Sequence, residues 1–300
     1  MVVCAPCVVG LVRMCKARLQ GRVGASLILP YYSFATMLKK QMVISSVTSW
    51  MFRVVPFVVL GTTLFLVAVL PLVSIGGIAS PLSDFMIVAG VLALGAIFLV
   101  LGGLDPGSAF GGMGASREMT ISSLVEPAVI MAFAAIAVIT GAHTVDGMVA
   151  LGGSLARLPF LILPFVALVL IALAENARYP IDNPATHLEL TMVHEAMVLE
   201  YSGPYLAMLE YASALKLTVF IVLLANVVWP VGLLSNVSSV FGLFGVIIAT
   251  VAKLVVGAAL LALLESTIAK MRFYRMQEFM SAAFFIALAG MVVAVLIPRV

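Results

Sequence analysis

Apolar runs long enough to cross a bilayer recur along this chain, and no other feature limits its folding so tightly. They fall at roughly 52–75, 84–102, 119–141, 158–175, 213–233, 240–264 and 279–297. Each holds about 20 mostly apolar residues, the length a helix needs to traverse a hydrocarbon core about 30 Å thick. Inside that medium each backbone N–H and C=O must be satisfied by protein, so such runs fold as helices. Only 10% of the residues are charged, against about a quarter in soluble domains, which excludes the soluble class. A further run, residues 2–12, stops at Arg13. It lacks the positive n-region and small-residue cleavage site of a signal peptide. We read it as a first membrane helix missing its N-terminal half, as a start placed too far downstream would leave it.

A basic segment, "RMCKARLQGRVGAS", follows, and then "PYYSFATMLKKQM". The Tyr/Phe/Met face and paired lysines of the second predict an amphipathic helix lying in the membrane interface. The connections at 76–83 and 234–239 hold no Lys or Arg, and 142–157 holds only Arg157. The alternate connections carry Arg13, Lys16, Arg18, Arg22, Lys39, Lys40, Arg117, Arg178, Lys270, Arg272 and Arg275. The positive-inside rule places these on the cytoplasmic side, with both termini outside. The expected fold is therefore an all-α, multi-pass protein of the inner (cytoplasmic) membrane. It has about eight transmembrane helices, the first truncated, plus one interfacial helix, in a single membrane domain over 1–300. No fixed repeat and no soluble domain interrupts it, and its partners are the lipid bilayer and other proteins, with no nucleic acid.

Against this apolar background, the cytoplasmic loop 175–212 gathers Glu175, Asp182, Glu189, Glu195, Glu200 and Glu210, six of thirteen acidic residues. Residues 184–200 contain no Gly or interior Pro and favour helix formers, which predicts a helix. Glu189 and Glu200 then share one face, and His187 and His194 another. The surrounding Leu188, Leu190, Met192, Val193, Met197, Val198 and Leu199 require much of that helix to be buried. Acids also enter the spans: Glu126 lies within the third run, and Glu175 and Glu265 end two others. An ionisable group at mid-membrane costs about 2.5–3.5 kcal/mol on insertion scales and marks an ion or proton route by default. Lys253, midway along its run, is the expected countercharge. Glu126, Glu175, Glu189, Glu195, Glu200, Glu210 and Lys253 are the candidate proton-relay residues.

Other motifs fail on their chemistry. Cys4-Ala-Pro-Cys7 has only Cys15 as a further thiol, too few for a zinc or iron–sulfur ligand set. His194-Glu195 opens like HExxH, but Val198 occupies the fifth position. "GGMGAS" at 111–116 has no preceding strand and the wrong spacing for a dinucleotide loop; it is expected to be a tight cytoplasmic turn. No catalytic, metal or cofactor-binding residue is assigned.

The same acids carry a resemblance. E-x-x-R-x-P-x-D-x-P, here Glu175, Arg178, Pro180, Asp182 and Pro184, followed by Glu189-Leu190 and Glu200-Tyr201-Ser202-Gly203, resembles the eight-helix anchor subunit of respiratory complex I, its subunit 1. "SSLVEPAV" is similar to its fourth-helix motif, with Glu126 at the acidic position. "ARLQGRVG" matches its basic loop at Arg18, Gln20, Arg22 and Gly24, although Ala25 stands where Pro is usual. "DNPATHLELTMVHEAMVLEYSGP", "GLDPGSAFGGMGASREM", "SWMFRVVP" and "ESTIAKMR" are closer to the counterpart in membrane-bound group 4 [NiFe]-hydrogenases, which include formate hydrogenlyase and hydrogenase-4.

For that branch the resemblance implies an anchor in an oxidoreductase complex. It would hold a soluble arm of hydrogenase large and small subunits and an iron–sulfur protein, and couple it to antiporter-like membrane subunits and to proton or sodium translocation. The [NiFe] centre and iron–sulfur clusters are expected on those partners, with no cofactor on this chain. Quinone is not implied, because such hydrogenases pass electrons to protons. Asp105, Arg117 and Glu118 are expected at the junction with the soluble arm, and Arg178 is expected to pair with Asp182. The alternative is the quinone-site subunit of an NADH:quinone oxidoreductase, or a nickel-free relative. A stand-alone transporter would show internal repeats with broken helices, and none is visible.

Overall fold

The computed structural model describes residues 1–77, 79–152, 158–182, 193–230, 232–233, 240–268 and 273–296. Among these the chain is helical, without strands. The helices are α1 (Ala5–Leu19), α2 (Leu29–Lys39), α3 (Trp50–Val69), α4 (Phe85–Leu104), α5 (Ala109–Thr140), α6 (Val145–Gly152), α7 (Leu158–Glu175), α8 (His194–Val198), α9 (Gly203–Val228), α10 (Val240–Thr267) and α11 (Phe273–Leu296). Six of them, α3, α4, α5, α9, α10 and α11, are long and apolar enough to cross a membrane. Two others expected to span, α1 and α7, are shorter.

Local chemistry places the ends. Ser49, Asp84 and Ser108 cap α3, α4 and α5 by accepting Met51, Met86 and Gly111 N–H groups, the usual remedy for unpaired first-turn donors. α5 ends at Gly141, whose φ of +75° only glycine adopts readily. α5 and α9 form the core: α5 packs on α4, α7, α8 and α11, and α9 on α1, α2, α3, α7 and α10. Phe133, Ile136, Leu168, Ile171 and Met280 are fully buried in the main cluster, and Leu215 in a smaller one against α1.

One expectation changes here. The stretch 111–116 is no turn: it forms the opening turns of α5, a helix of 32 residues, or about 48 Å. Gly114 serves packing, since a Cβ there would stand 2.9 Å from the Val193 carbonyl oxygen and 2.9 Å from Ala196 Cβ. The connection between α5 and α7 contains a further short helix, α6.

A helix forms where the amphipathic segment predicts one: α2 buries only Pro30 and leaves Leu29, Tyr32 and Leu38 exposed. α1 runs on through Arg13 to Leu19. The Tyr211 hydroxyl donates to the Val2 carbonyl at 2.7 Å, so α1 begins beside α9 about 12 Å from that helix's start.

The topology has a direct test. In a cysteine-free background, exposed Ser46→Cys and Ser74→Cys should react with a membrane-impermeant maleimide from opposite sides, Ser46→Cys from the cytoplasm. Labelling from one side would overturn the orientation.

Candidate functional site

At the end of the bundle where α7 stops and α5 and α9 start, four elements converge on one cavity. α7 supplies Glu175 as its last residue, α9 supplies Lys216, α5 supplies Glu118 and α8 supplies His194. The cavity measures about 60 Å³, and one water occupies about 10–15 Å³ on this measure, so it holds several. Lys216 Nζ forms an ion pair with Glu175 Oε2, and their side chains are only 20% and 9% exposed. Glu118 makes no hydrogen bond or ion pair among the described residues. Asn176, also on the wall, donates to the Ala172 carbonyl at 2.7 Å, while its buried Oδ1 has no hydrogen-bond partner among the described residues. The remaining wall is mainly apolar, with Val59, Leu66, Val91, Leu92 and Leu99, which strengthens electrostatics inside.

His194 owes its place to the preceding turn. Asp182, 2% exposed, accepts the Val193 N–H at 3.1 Å and the His194 N–H at 3.3 Å, and so caps the start of α8. Burial, and next the Lys216 charge, push the His194 imidazole down to about 4, with Asp182 opposing. The ring is therefore neutral at pH 7 and offers one donor and one acceptor.

Arg178 does not pair with Asp182. Its Nη1 lies 3.3 Å from Glu265 Oε1, and Lys16 Nζ lies 3.1 Å from Glu265 Oε2. The Glu265 side chain is 2% exposed. Burial pulls the Arg178 guanidinium down from its ordinary range, and Glu265 counteracts this. Lys16 also stands 4.3 Å from the centre of the Tyr179 ring.

The other candidates scatter. Glu118, expected at a junction with a soluble arm, lines the cavity, on the helix that packs against α8. Lys253 is not a countercharge to the acids: its Nζ donates to Asn226 Oδ1 at 2.8 Å, and fully buried Asn226 donates onward to the Pro71 carbonyl at 2.7 Å. Glu126 is half-buried on α5 and makes no hydrogen bond or ion pair among the described residues. Asp105 accepts both the N–H and the hydroxyl of Ser49, tying α4 to α3. Arg117 and Glu195 are half-buried, and Glu200 and Glu210 are exposed. Arg18, Gln20 and Arg22 form an exposed group at and beyond the end of α1. Glu189 and His187 lie outside the described residues. The helix expected over 184–200 falls partly outside the described residues; within them, α8 covers His194–Val198 and Glu200 lies in the turn beyond it. Lys216 was missed, although an isolated Lys inside an apolar run was its signal. Among the described residues, no His, Cys, Asp and Glu cluster could hold a metal ion.

Known proteins resemble this chain in sequence and fold. The sequence pattern of the NADH dehydrogenase family matches residues 1–296. Formate hydrogenlyase subunit 4 of Escherichia coli (strain K12) is 28% identical over 89% of this chain and 87% of its own length. Hydrogenase-4 component C of the same organism is 30% identical over 89% and 84%. The fold is shared with a chain of the membrane-bound sulfane sulfur reductase, an archaeal respiratory membrane complex. The TM-score is 0.80 at 16% identity, covering 98% of this chain and 95% of that one. A match across nearly its whole length, on a helical bundle that gathers the motif residues Glu175, Arg178 and Asp182 around one end, shows that this chain belongs to the NADH dehydrogenase family, that of complex I subunit 1.

Proposed function

We propose that this chain is the membrane anchor of a hydrogenase-type respiratory complex and couples a redox reaction in a soluble arm to ion movement across the membrane. The observation that carries the reading is the water-sized cavity where Glu118, Glu175, neutral His194 and Lys216 meet. Carboxylates exchange protons, a neutral imidazole passes them between its two nitrogens, and several waters close the gaps. Lys216 holds Glu175 as its ion-pair partner, which leaves Glu118 as the acid free to take up and release a proton. The exposed Arg18, Gln20 and Arg22, with Glu200 on the same end of the bundle, supply polar surface for a soluble arm. The count of eight spans, with α1 and α7 included, belongs to this reading, as does a cytoplasmic position for the acidic end.

Hydrogenase relatives cover most of the chain, and the cavity favours protons over quinone. Small-molecule sites usually measure about 300–1,000 Å³, several times this cavity's volume.

The test is elemental. A tagged chain purified with its complex from native membranes should bring down nickel in near-stoichiometric amount, together with iron. The chain produced without partners should carry no stoichiometric nickel, iron or zinc. Iron without nickel would assign the nickel-free relative, and NADH oxidation by the purified complex would assign the quinone-reducing alternative; either overturns the hydrogenase reading.

A further inference from the structure

Lys16, Arg178 and Glu265 lie outside the cavity, yet they hold the turn that builds one of its walls. Glu265, near the end of α10, is buried against two cations from different parts of the chain, Lys16 on α1 and Arg178 in the turn after α7. Removing one partner of such a buried group strands the others, so the three behave as a unit. The turn itself is tight: the Arg178 N–H donates to the Leu173 carbonyl at 2.9 Å, and the Arg178 carbonyl accepts Ile181 N–H at 2.9 Å and Asp182 N–H at 3.3 Å. The Asp182 carboxylate, fixed by that turn, accepts the first N–H groups of α8. α8 then presents His194 to Glu118, Glu175 and Lys216. A chain of contacts thus runs from the basic end of α1 to the start of α8: ion pairs from Lys16 through Glu265 to Arg178, the backbone bonds of the 178–182 turn, and the Asp182 carboxylate on the Val193 and His194 N–H groups.

We propose that Glu265 is a positioning residue for the cavity: by bridging Lys16 and Arg178 it sets the Arg178–Asp182 turn, and through Asp182 it sets where His194 stands. Lys16 lies in the last turn of α1, beside exposed Arg18, Gln20 and Arg22. A partner bound to that loop therefore pulls on the same bridge, and docking is felt at the imidazole. The functional consequence rests on the proton-handling reading of the cavity; the mechanical link does not.

The experiment measures both in the whole complex reconstituted in nanodiscs. Amide hydrogen exchange is followed over 193–200, with α5 and the α10 interior as internal controls. Glu265→Gln should speed exchange at 193–198 by about tenfold, the scale of losing a hydrogen bond to a charged group, while the controls stay unchanged. Glu265→Asp, which keeps the charge, should restore most of the protection. Asp182→Asn should give the same local release, and Glu265→Gln with Asp182→Asn should add nothing further, because both act on one contact. Unchanged exchange at 193–198 in Glu265→Gln, or additive effects in the pair, would overturn the link. If Glu265→Gln loosens the controls too, the milder Lys16→Gln, which breaks the more exposed arm of the bridge, decides: faster exchange confined to 193–198 supports the link, and unchanged exchange there overturns it. Turnover separates the two layers. Released exchange with unchanged coupling would leave the link standing and remove the proton-handling reading.

Discussion

Glu118→Gln should leave the complex assembled and lower coupled turnover per complex by about an order of magnitude or more, the scale of lost proton-transfer catalysis. The expectation is sharp because Glu118 has so little structural work. It lines the cavity and makes no hydrogen bond or ion pair among the described residues, so the substitution removes no contact of that kind. Glutamine keeps the shape and one acceptor oxygen, and differs in being unable to release a proton. A loss of turnover in a correctly assembled complex is therefore a loss of proton exchange. Exposed Glu200 is the control. Glu200→Gln should leave turnover per assembled complex unchanged, and lower only the assembled fraction if the soluble arm docks there. Proton uptake and turnover in inverted membrane vesicles, normalised to complex counted on native gels, distinguish these outcomes. Full coupling in Glu118→Gln would remove the acid from the relay.

The spans were legible because the bilayer leaves a chain few choices: runs of apolar residues this long must become helices, and α3, α4, α7, α10 and α11 lie close to where hydropathy puts them, while α9 begins at Gly203, ten residues before its run. The opening of α5 was hidden by its glycines. Gly111 and Gly114 argue for a turn from propensity alone, but they are set by the close approach of α4 and α8, and tertiary packing overrides a difference of about 1 kcal/mol per residue. Lys253 shows what axial position decides. It stands twelve residues before Glu265 on α10, about 18 Å along the helix from the acidic end, and there it meets Asn226, near the far end of α9. The Arg178–Asp182 pair was expected, but the chain has already left α7 at Ala177, whose φ is +46°. The turn that follows sends the guanidinium to Glu265, 87 residues away. Such long-range partners leave no mark in a single sequence. Lys216 did leave one, as a lone cation within an apolar run.

The Glu175–Lys216 pair gives the last prediction, and it separates stability from coupling. Lys216→Met should destabilise the chain strongly, because it strands a carboxylate whose side chain is only 9% exposed. Breaking a buried pair this way costs about 3–5 kcal/mol, a large part of the total of roughly 5–15 kcal/mol that holds an ordinary domain together. The partial exposure of Lys216, 20%, places the expected cost at the low end of that range, since solvent screens part of the interaction. Removing both charges at once strands neither. Glu175→Gln combined with Lys216→Met should recover thermal stability to within about 1–2 kcal/mol of the parent, as buried pairs replaced by uncharged groups commonly do. It should not recover function: with the carboxylate gone, the cavity retains Glu118 and His194 but lacks the ion pair that orders charge beside them, and coupled turnover should stay at least about tenfold below the parent. Thermal unfolding of the purified complex in detergent reads the first quantity, and vesicle proton uptake reads the second. A double variant as unstable as Lys216→Met would show that the pair is not the source of the cost. A stable double variant with full coupling would show that Glu175 and Lys216 brace the bundle end and take no part in moving protons.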